Sequence, residues 1–381
     1  MFGTFGTVFA PILVSSMERD RKLPLIPLTF APRATAALDP DDLFDDPTYS
    51  TDGPLSDQWG RRVKSLRISV TDRCNFRCVY CMPEEGLDWL PKDKILSYEE
   101  LARLTRILVG MGVENVRLTG GEPLVRRDLP VLVRMLSGIP GLRSLSLTTN
   151  GYFLKELAGD LAAAGLTRIN VSLDTLQRDK FHEITRRDCL ERVLEGLAEC
   201  ERYPSLRPIK VNAVAVRGFT EEEIPAFAAL ARRKPYLVRF IEYMPIDGDA
   251  AWTRDRVLTG GEILGEMRKL YPLEAIPVDD PAQTSRDFRF ADGAGTVGFI
   301  NPVSEPFCEA CDRIRLTADG QIRTCLFSVT ETDVRGPMRA GADDAEVAEV
   351  LRRAVWRKEL KHHINDPGFV RASRSMSQIG G

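Results

Sequence analysis

Histidine is scarce. Only His182, His362 and His363 occur in 381 residues, so a histidine-based metal site has few places to form. No apolar run approaches the roughly 20 residues that a spanning helix needs. The apolar opening MFGTFGTVFAPILVSS lacks a basic leading region, which disfavours a secretory signal. Neither sign of charge dominates. A formal net charge of −3 argues against nonspecific nucleic-acid binding while leaving room for a local basic pocket. Neither membrane nor nucleic acid is expected among the partners.

A fourth cysteine is missing twice. Cys74, Cys78 and Cys81 fall within TDRCNFRCVYCMPEEG, and Cys308, Cys311 and Cys325 form a second group of three. A tetrahedral zinc or iron–sulfur site usually takes four protein ligands. The close CxxxCxxC and CxxC spacings favour metal over disulfides, and hence a reducing cytoplasm. The remaining pair, Cys189 and Cys200, sits on a helical-looking stretch about 16 Å long, too far apart to bridge, and reads as packing.

Residues 1–60 combine clustered proline with the acidic run DPDDLFDDP. They read as a mobile arm without a catalytic part, and a translation start at Met17 is a simple alternative. From residue 66 onward strand-like runs alternate with amphipathic ones. The strand candidates are 66–71, 114–119, 144–149, 168–173, 209–216 and 237–244. Among the helical segments, 97–112 opens with a Ser97/Glu100 capping box, and 153–165 ends at Gly165. Alternation of this kind implies a parallel sheet with right-handed crossovers. Six units are too few for a standard eight-stranded barrel. The expected α/β fold is therefore an incomplete (βα)6 TIM-type barrel over residues 61–250. The less regular segment 251–381, an α+β extension with the second cysteine group, would cover it. Cys74, Gly120–Pro123, Asn150 and Asp174 follow successive strands, where sites form in parallel folds.

For the first group, one reading is half a zinc site completed by a distant His or Cys. The other is a [4Fe–4S] cluster on three thiolates, whose open iron takes a small molecule. The spacing, Tyr80 before the last cysteine and the GGEP at 120–123 resemble the radical S-adenosylmethionine (radical SAM) superfamily. There the open iron binds the amino and carboxylate groups of S-adenosylmethionine (SAM), and a GGEP-type motif contacts its amino group. The tetrapeptide TGGE recurs at 259–262. That copy opens the helical run EILGEMRKL and reads as a capping turn.

The second group is completed as zinc only by His362 or His363. Its company points elsewhere. Asp312-Arg313-Ile314-Arg315 places two guanidinium groups on one face of an extended chain. Arg67, Arg117, Lys210 and Arg239 sit on strands that are otherwise apolar. Each alone reads as a surface charge, but together they are costly to bury without a polyanion such as a triphosphate.

The set LRISVTDRCNFRCVYC, VRLTGGEPLVRRDL, LTTNG, INVSLD, IKVNAV, RFIEYMP, FCEACDRIRL, the later CLF and terminal MSQIGG resembles the GTP 3′,8-cyclase family, from about residue 63 to the end. The resemblance implies a first cluster on Cys74, Cys78 and Cys81, and SAM contacts from Tyr80, Gly121, Glu122, Ser172 and Met244. It implies GTP contacts from Arg67, Arg117, Thr148, Lys210, Arg313 and Arg315, with Asn212 and Arg239 in the same cavity. Cys308, Cys311 and Cys325 would hold a second [4Fe–4S] cluster whose open iron meets the guanine base. The tail Gly380-Gly381 would reach into the active site; a frayed end is the alternative. Catalytic parts would fall to Arg239 and those two glycines. The implied reaction uses a 5′-deoxyadenosyl radical to open molybdenum cofactor biosynthesis. Its implied partners are GTP, an external reductant of flavodoxin or ferredoxin type and cyclic pyranopterin monophosphate synthase as recipient; a homodimer is compatible. Rival readings are a peptide-modifying two-cluster enzyme, a two-cluster electron carrier and a zinc scaffold.

Overall fold

In the computed structural model of the chain, residues 49–380 are described. The first forty-eight residues of the expected arm and Gly381 lie outside them. The six forecast strands form as β1 (Ser65–Ser69), β2 (Asn115–Thr119), β3 (Ser144–Thr149), β4 (Arg168–Ser172), β5 (Ile209–Ala215) and β6 (Tyr236–Glu242). They lie side by side in sequence order, all parallel. Helices Tyr98–Gly110 and Leu154–Ala163 fall where the periodicity placed them. Ser97 and Glu100 make the reciprocal capping box, while Ala164 is the C-cap and Gly165 follows it with φ +101°.

The segment after residue 250 does more than cover the barrel. It adds β7 (Leu273–Ala275), β8 (Arg286–Phe290), β9 (Thr296–Ile300), β10 (Arg313–Leu316), β11 (Gln321–Arg323) and β12 (Thr332–Asp333). Strand β10 pairs parallel with β1, and β9 parallel with β6. Antiparallel strands continue outward on both sides, giving twelve strands in the order β12-β11-β10-β1-β2-β3-β4-β5-β6-β9-β8-β7. The same segment thus reaches both flanks of the six-unit barrel.

Alternation along the strands is the informative departure. Parallel strands covered on both faces ordinarily read as continuous apolar runs. Here Leu66, Ile68, Val116, Leu118, Leu145 and Leu147 pack in the buried core, and so do Ile169, Val171, Val211 and Val238. Their neighbours Arg67, Arg117, Thr148, Asn170, Asn212 and Arg239 instead line an interior cavity. The apolar half holds the helices on; the polar half is left for something else.

Residues 49–60, expected as the end of a mobile arm, are tied down at a few points although most of their side chains are exposed. Leu55 is fully buried, Tyr49 lies edge-on to Trp356 at 5.5 Å, and Trp59 Nε1 donates to the Lys358 carbonyl at 3.0 Å. Asp57 explains the turn. Its Oδ1 accepts from the backbone N–H of Trp59 and Arg61, and its Oδ2 from Arg61 Nε at 2.6 Å. A composition signal missed this because one buried carboxylate organises the whole turn.

The second TGGE copy is a cap. Thr259 accepts from the Glu262 N–H and Glu262 reaches back to the Thr259 N–H, opening helix Gly260–Leu270. Thr259→Ala should therefore lower stability by about 1 kcal/mol in urea unfolding and leave ligand binding unchanged. A lost ligand affinity at unchanged stability would contradict the assignment.

Candidate functional site

The GGEP turn is built against the first cysteine loop. Gly121 N–H donates to the Thr71 carbonyl at 2.8 Å and Glu122 N–H to the Arg73 carbonyl at 2.8 Å. A Cβ at Gly121 would run into the carbonyl oxygens of Asp72 and Arg73, so only glycine permits this approach one residue ahead of Cys74. Within the loop, the N–H groups of Cys81 and Met82 donate to the Cys78 carbonyl, and Phe76 N–H reaches Cys74 Sγ at 3.3 Å. Phe76 anchors the loop by edge-on contact with Phe181 and Tyr152.

Burial raises the three thiols: Cys74 and Cys81 to about 12, and Cys78 well above its ordinary value, with Asp174 and the other two thiols adding to it. Among the described residues no three His, Cys, Asp or Glu side chains gather closely enough for one metal ion. A tetrahedral zinc would need sulfurs about 3.8 Å apart, from bonds near 2.3 Å. A cubane cluster takes each thiolate on a different iron and suits wider spacing.

Glu122 is held by the protein itself. Its Oε1 accepts from Leu124 N–H at 2.9 Å and Thr149 Oγ1 at 2.7 Å, and its Oε2 from Asn150 N–H at 2.7 Å. The carboxylate thus joins the ends of β2 and β3. Burial outweighs those donors and raises it to about 7. Tyr80 Oη donates to Asp174 Oδ2 at 2.6 Å, while Asp174 Oδ1 accepts from Val214 N–H. Asp174, pushed up to about 6 by burial, fixes Tyr80 beside the loop. Ser172 and Met244 line the same cavity, of about 310 Å³.

The cations are arranged by register. Arg315, Arg67 and Arg117 stand side by side on β10, β1 and β2, and Arg117 pairs onward through Ser146 to Arg168. A second row runs Thr148, Asn170, Lys210, and a third runs Ser172, Asn212, Arg239. Like charges directly opposite on adjacent strands are destabilising. Burial and the neighbouring guanidinium groups pull Arg117 and Arg315 well below the ordinary arginine range and Arg67 to about 10; burial, Arg239 and Arg117 bring Lys210 to about 7. Among the described residues Asp287 forms an ion pair with Arg239, at 3.4 Å, and also accepts from Ser285 Oγ. Thr148 Oγ1, Asn212 Oδ1, Arg239 Nε and Arg313 Nη2 are buried without a hydrogen-bond partner. Each such ion costs on the order of several kcal/mol, against a folding stability of about 5–15 kcal/mol. A bound polyanion resolves the conflict.

The sequence reading placed Arg313 and Arg315 on one face, and β10 does so. Their surroundings differ. Arg313 stacks on Phe307 at 5.1 Å and donates to the Ala282 carbonyl. Arg315 Nη1 donates to the Gly380 carbonyl at 2.6 Å. Gly380, at φ +86°, presses on Thr119 and Ser69 at the ends of β2 and β1; a Cβ there would come within 2.9 Å and 3.1 Å of their side chains. The tail therefore enters the cavity wall, with Ser375 and Gln378 capping its short helix Met376–Ile379.

Around the second cysteine group, burial pushes Cys311 up, but Lys358 and Arg313 outweigh it and bring the thiol down to about 7. Cys308 is raised, and Cys325 reaches about 11 through burial and Glu359. His362 lines the cavity with both ring nitrogens unpartnered, while exposed His363 holds Asp366 at 2.6 Å.

Two family profiles match the chain: Radical SAM superfamily over residues 68–231 and Molybdenum Cofactor Synthesis C over 236–364. Curated relatives named GTP 3′,8-cyclase share 47% identity over 327 residues in Moorella thermoacetica and 47% over 329 in Streptomyces coelicolor. These alignments cover 86% of this chain and 100% and 96% of those proteins. The chain belongs to the GTP 3′,8-cyclase family. Solved structures add the fold alone. Streptococcus suis SuiB bound to S-adenosylmethionine aligns with TM-score 0.53 at 14% identity, over 78% of this chain and 68% of that one. The anSMEcpe structure with bound AdoMet aligns at 0.52 and 13%, over 79% of each chain.

Sequence reasoning missed four residues in or around this cavity. Arg168 and Asn170 were hidden inside an apparently ordinary strand, and Asp174 was seen only as a strand-end residue. Lys358 stands in a charged run that reads as surface, yet it is 2% exposed. Period-two inspection of β4 could have found the first two.

Two outcomes follow from this geometry. Gly121→Ala should lower iron bound at the first cysteine group and spare the second; unchanged iron content would contradict the close-approach argument. Glu122 binds its extra proton in the folded chain between about 4.5 and about 7, so stability of the metal-free chain falls as pH rises through that window. Glu122→Gln should flatten that fall in denaturation midpoints, and an unaltered pH slope would exclude Glu122 as its source.

Proposed function

We infer that this protein is a radical SAM GTP 3′,8-cyclase, converting GTP to (8S)-3′,8-cyclo-7,8-dihydroguanosine 5′-triphosphate in the first step of molybdenum cofactor biosynthesis. Its cofactors are two [4Fe–4S] clusters and S-adenosylmethionine. The observation that carries the reading is the paired arrangement of two three-cysteine groups facing one cavity whose wall is a row of buried cations.

When bound, the first cluster and SAM supply a 5′-deoxyadenosyl radical that takes the hydrogen atom from the ribose C3′. The chain's residues do the rest by position. Cys74, Cys78 and Cys81 would hold the first cluster. Tyr80, Gly121, Ser172 and Met244 bound the SAM pocket, while Glu122 fixes the turn that carries Gly121. Arg67, Arg117, Lys210 and Arg313 grip the triphosphate, with Thr148 and Asn212 offering their unpaired oxygens to the sugar and base. Holding C3′ near C8 replaces an encounter with an oriented contact. Cys308, Cys311 and Cys325, which line the same cavity, would hold the second cluster. Arg315 anchors the tail through the Gly380 carbonyl, which brings Gly380 next to the triphosphate row. Arg239, held by Asp287, lines the cavity as a cation facing the nucleotide.

Bond bookkeeping is simple: C3′ loses hydrogen, C3′–C8 forms, and one electron with one proton restores an isomer of GTP. That electron calls for an external one-electron donor of flavodoxin or ferredoxin type. The product passes to cyclic pyranopterin monophosphate synthase, and the enzyme works in the cytoplasm, where reducing conditions keep its cysteines out of disulfides. No helix among the described residues is long and apolar enough to cross a membrane. A homodimer is compatible with the proposal.

GTP deuterated at C3′ should transfer its label to deoxyadenosine, and absence of label there would overturn the reaction. Arg117→Ala should weaken GTP binding roughly tenfold to a hundredfold by calorimetry, the loss of one charge-assisted contact, with SAM affinity retained. Equal GTP affinity would remove Arg117 from the triphosphate site.

A further inference from the structure

Lys358 is buried with backbone carbonyls, and no carboxylate, as its described partners. Its side chain is 2% exposed, beneath the second cysteine group. The ammonium donates to the Arg313 carbonyl at 2.9 Å and to the Thr324 carbonyl. Those carbonyls lie two residues after Cys311 and one before Cys325. Among the described residues no carboxylate pairs with it. The adjacent Glu359 turns its Oε2 to Thr324 Oγ1 instead. A buried ammonium without a counter-charge is strongly disfavoured, and neutral carbonyls answer only part of its demand.

The segment is deliberately fixed. Trp59 Nε1 holds the Lys358 carbonyl, and Arg61 donates to the carbonyls of Cys308, Glu359 and Leu360 at 2.7–2.8 Å. Lys358 is therefore tied to the backbone on both sides of the second cysteine group, two residues past Cys311 and one before Cys325. The balance differs at the first cysteine group, where Glu122 and Asp174 act beside Arg77, whereas Lys358 and Arg313 act on the second beside Glu359. A positive charge next to an iron–sulfur cluster favours its more negative, reduced state, and so raises its potential.

We propose that Lys358 is the buried counter-ion of the second cluster, retaining that cluster and holding its reduction potential up. This rests on the reading that Cys308, Cys311 and Cys325 carry a cluster. The test uses the full chain with both clusters loaded, as Lys358→Arg, Lys358→Gln and Lys358→Met, in redox titrations followed by electron paramagnetic resonance. Glutamine keeps a donor for the carbonyls but no charge. The second-cluster potential should move negative in the Gln and Met variants, stay near wild type in Arg, and leave the first cluster unmoved. Where a variant fails to retain the second cluster, chelator-driven iron loss decides: loss in Gln and Met with retention in Arg supports the counter-ion. Unmoved potentials in Gln and Met, or equal loss in all three, would overturn it. A wild-type chain with iron at the first group only would instead sink the two-cluster reading itself.

Discussion

Everything in this molecule is arranged around a row of cations that it cannot satisfy alone. Arg315, Arg67 and Arg117 are neighbours across three parallel strands, with Arg313, Lys210 and Arg239 close by and one carboxylate, Asp287, in salt-bridge reach of Arg239. In a protein interior such a row is tolerated only when a polyanion completes it. The fold therefore keeps its stability elsewhere, in the Leu, Ile and Val side chains on the opposite face of the same strands.

This constraint explains why the C-terminal half is threaded through the sheet. A lid resting on the barrel could not place Arg313 and Arg315 in register with Arg67. Strand β10 can, because parallel pairing with β1 fixes the side chains on one face. Its preceding loop brings Cys308 and Cys311, and the turn after β11 brings Cys325. Residues 57–61 then clamp the outer side of that loop through Arg61. Substrate cations and second cysteine group are thus one construction.

Much of this was legible because parallel strands make a loud signal. The six strand runs, the Ser97 cap and the different fates of the two TGGE copies were readable from spacing and capping chemistry. The two cysteine groups were readable as sets that would face one cavity, and both do line it. What remained hidden depended on long-range pairing. Nothing local tells that 313–316 lies beside 65–68, that Arg315 reaches Gly380, or that Glu122 ties β2 to β3. Lys358 was hidden for the same reason, since a WRKELK run looks solvated until the loop around it closes.

The most direct test is deoxyadenosine release from SAM by reduced, anaerobically reconstituted protein, with each common nucleoside triphosphate supplied in turn. Release that rises with GTP, and a product isomeric with GTP by mass spectrometry, is the expected result. Release indifferent to the nucleotide, or no release from protein holding both clusters, would contradict a cation row built for GTP.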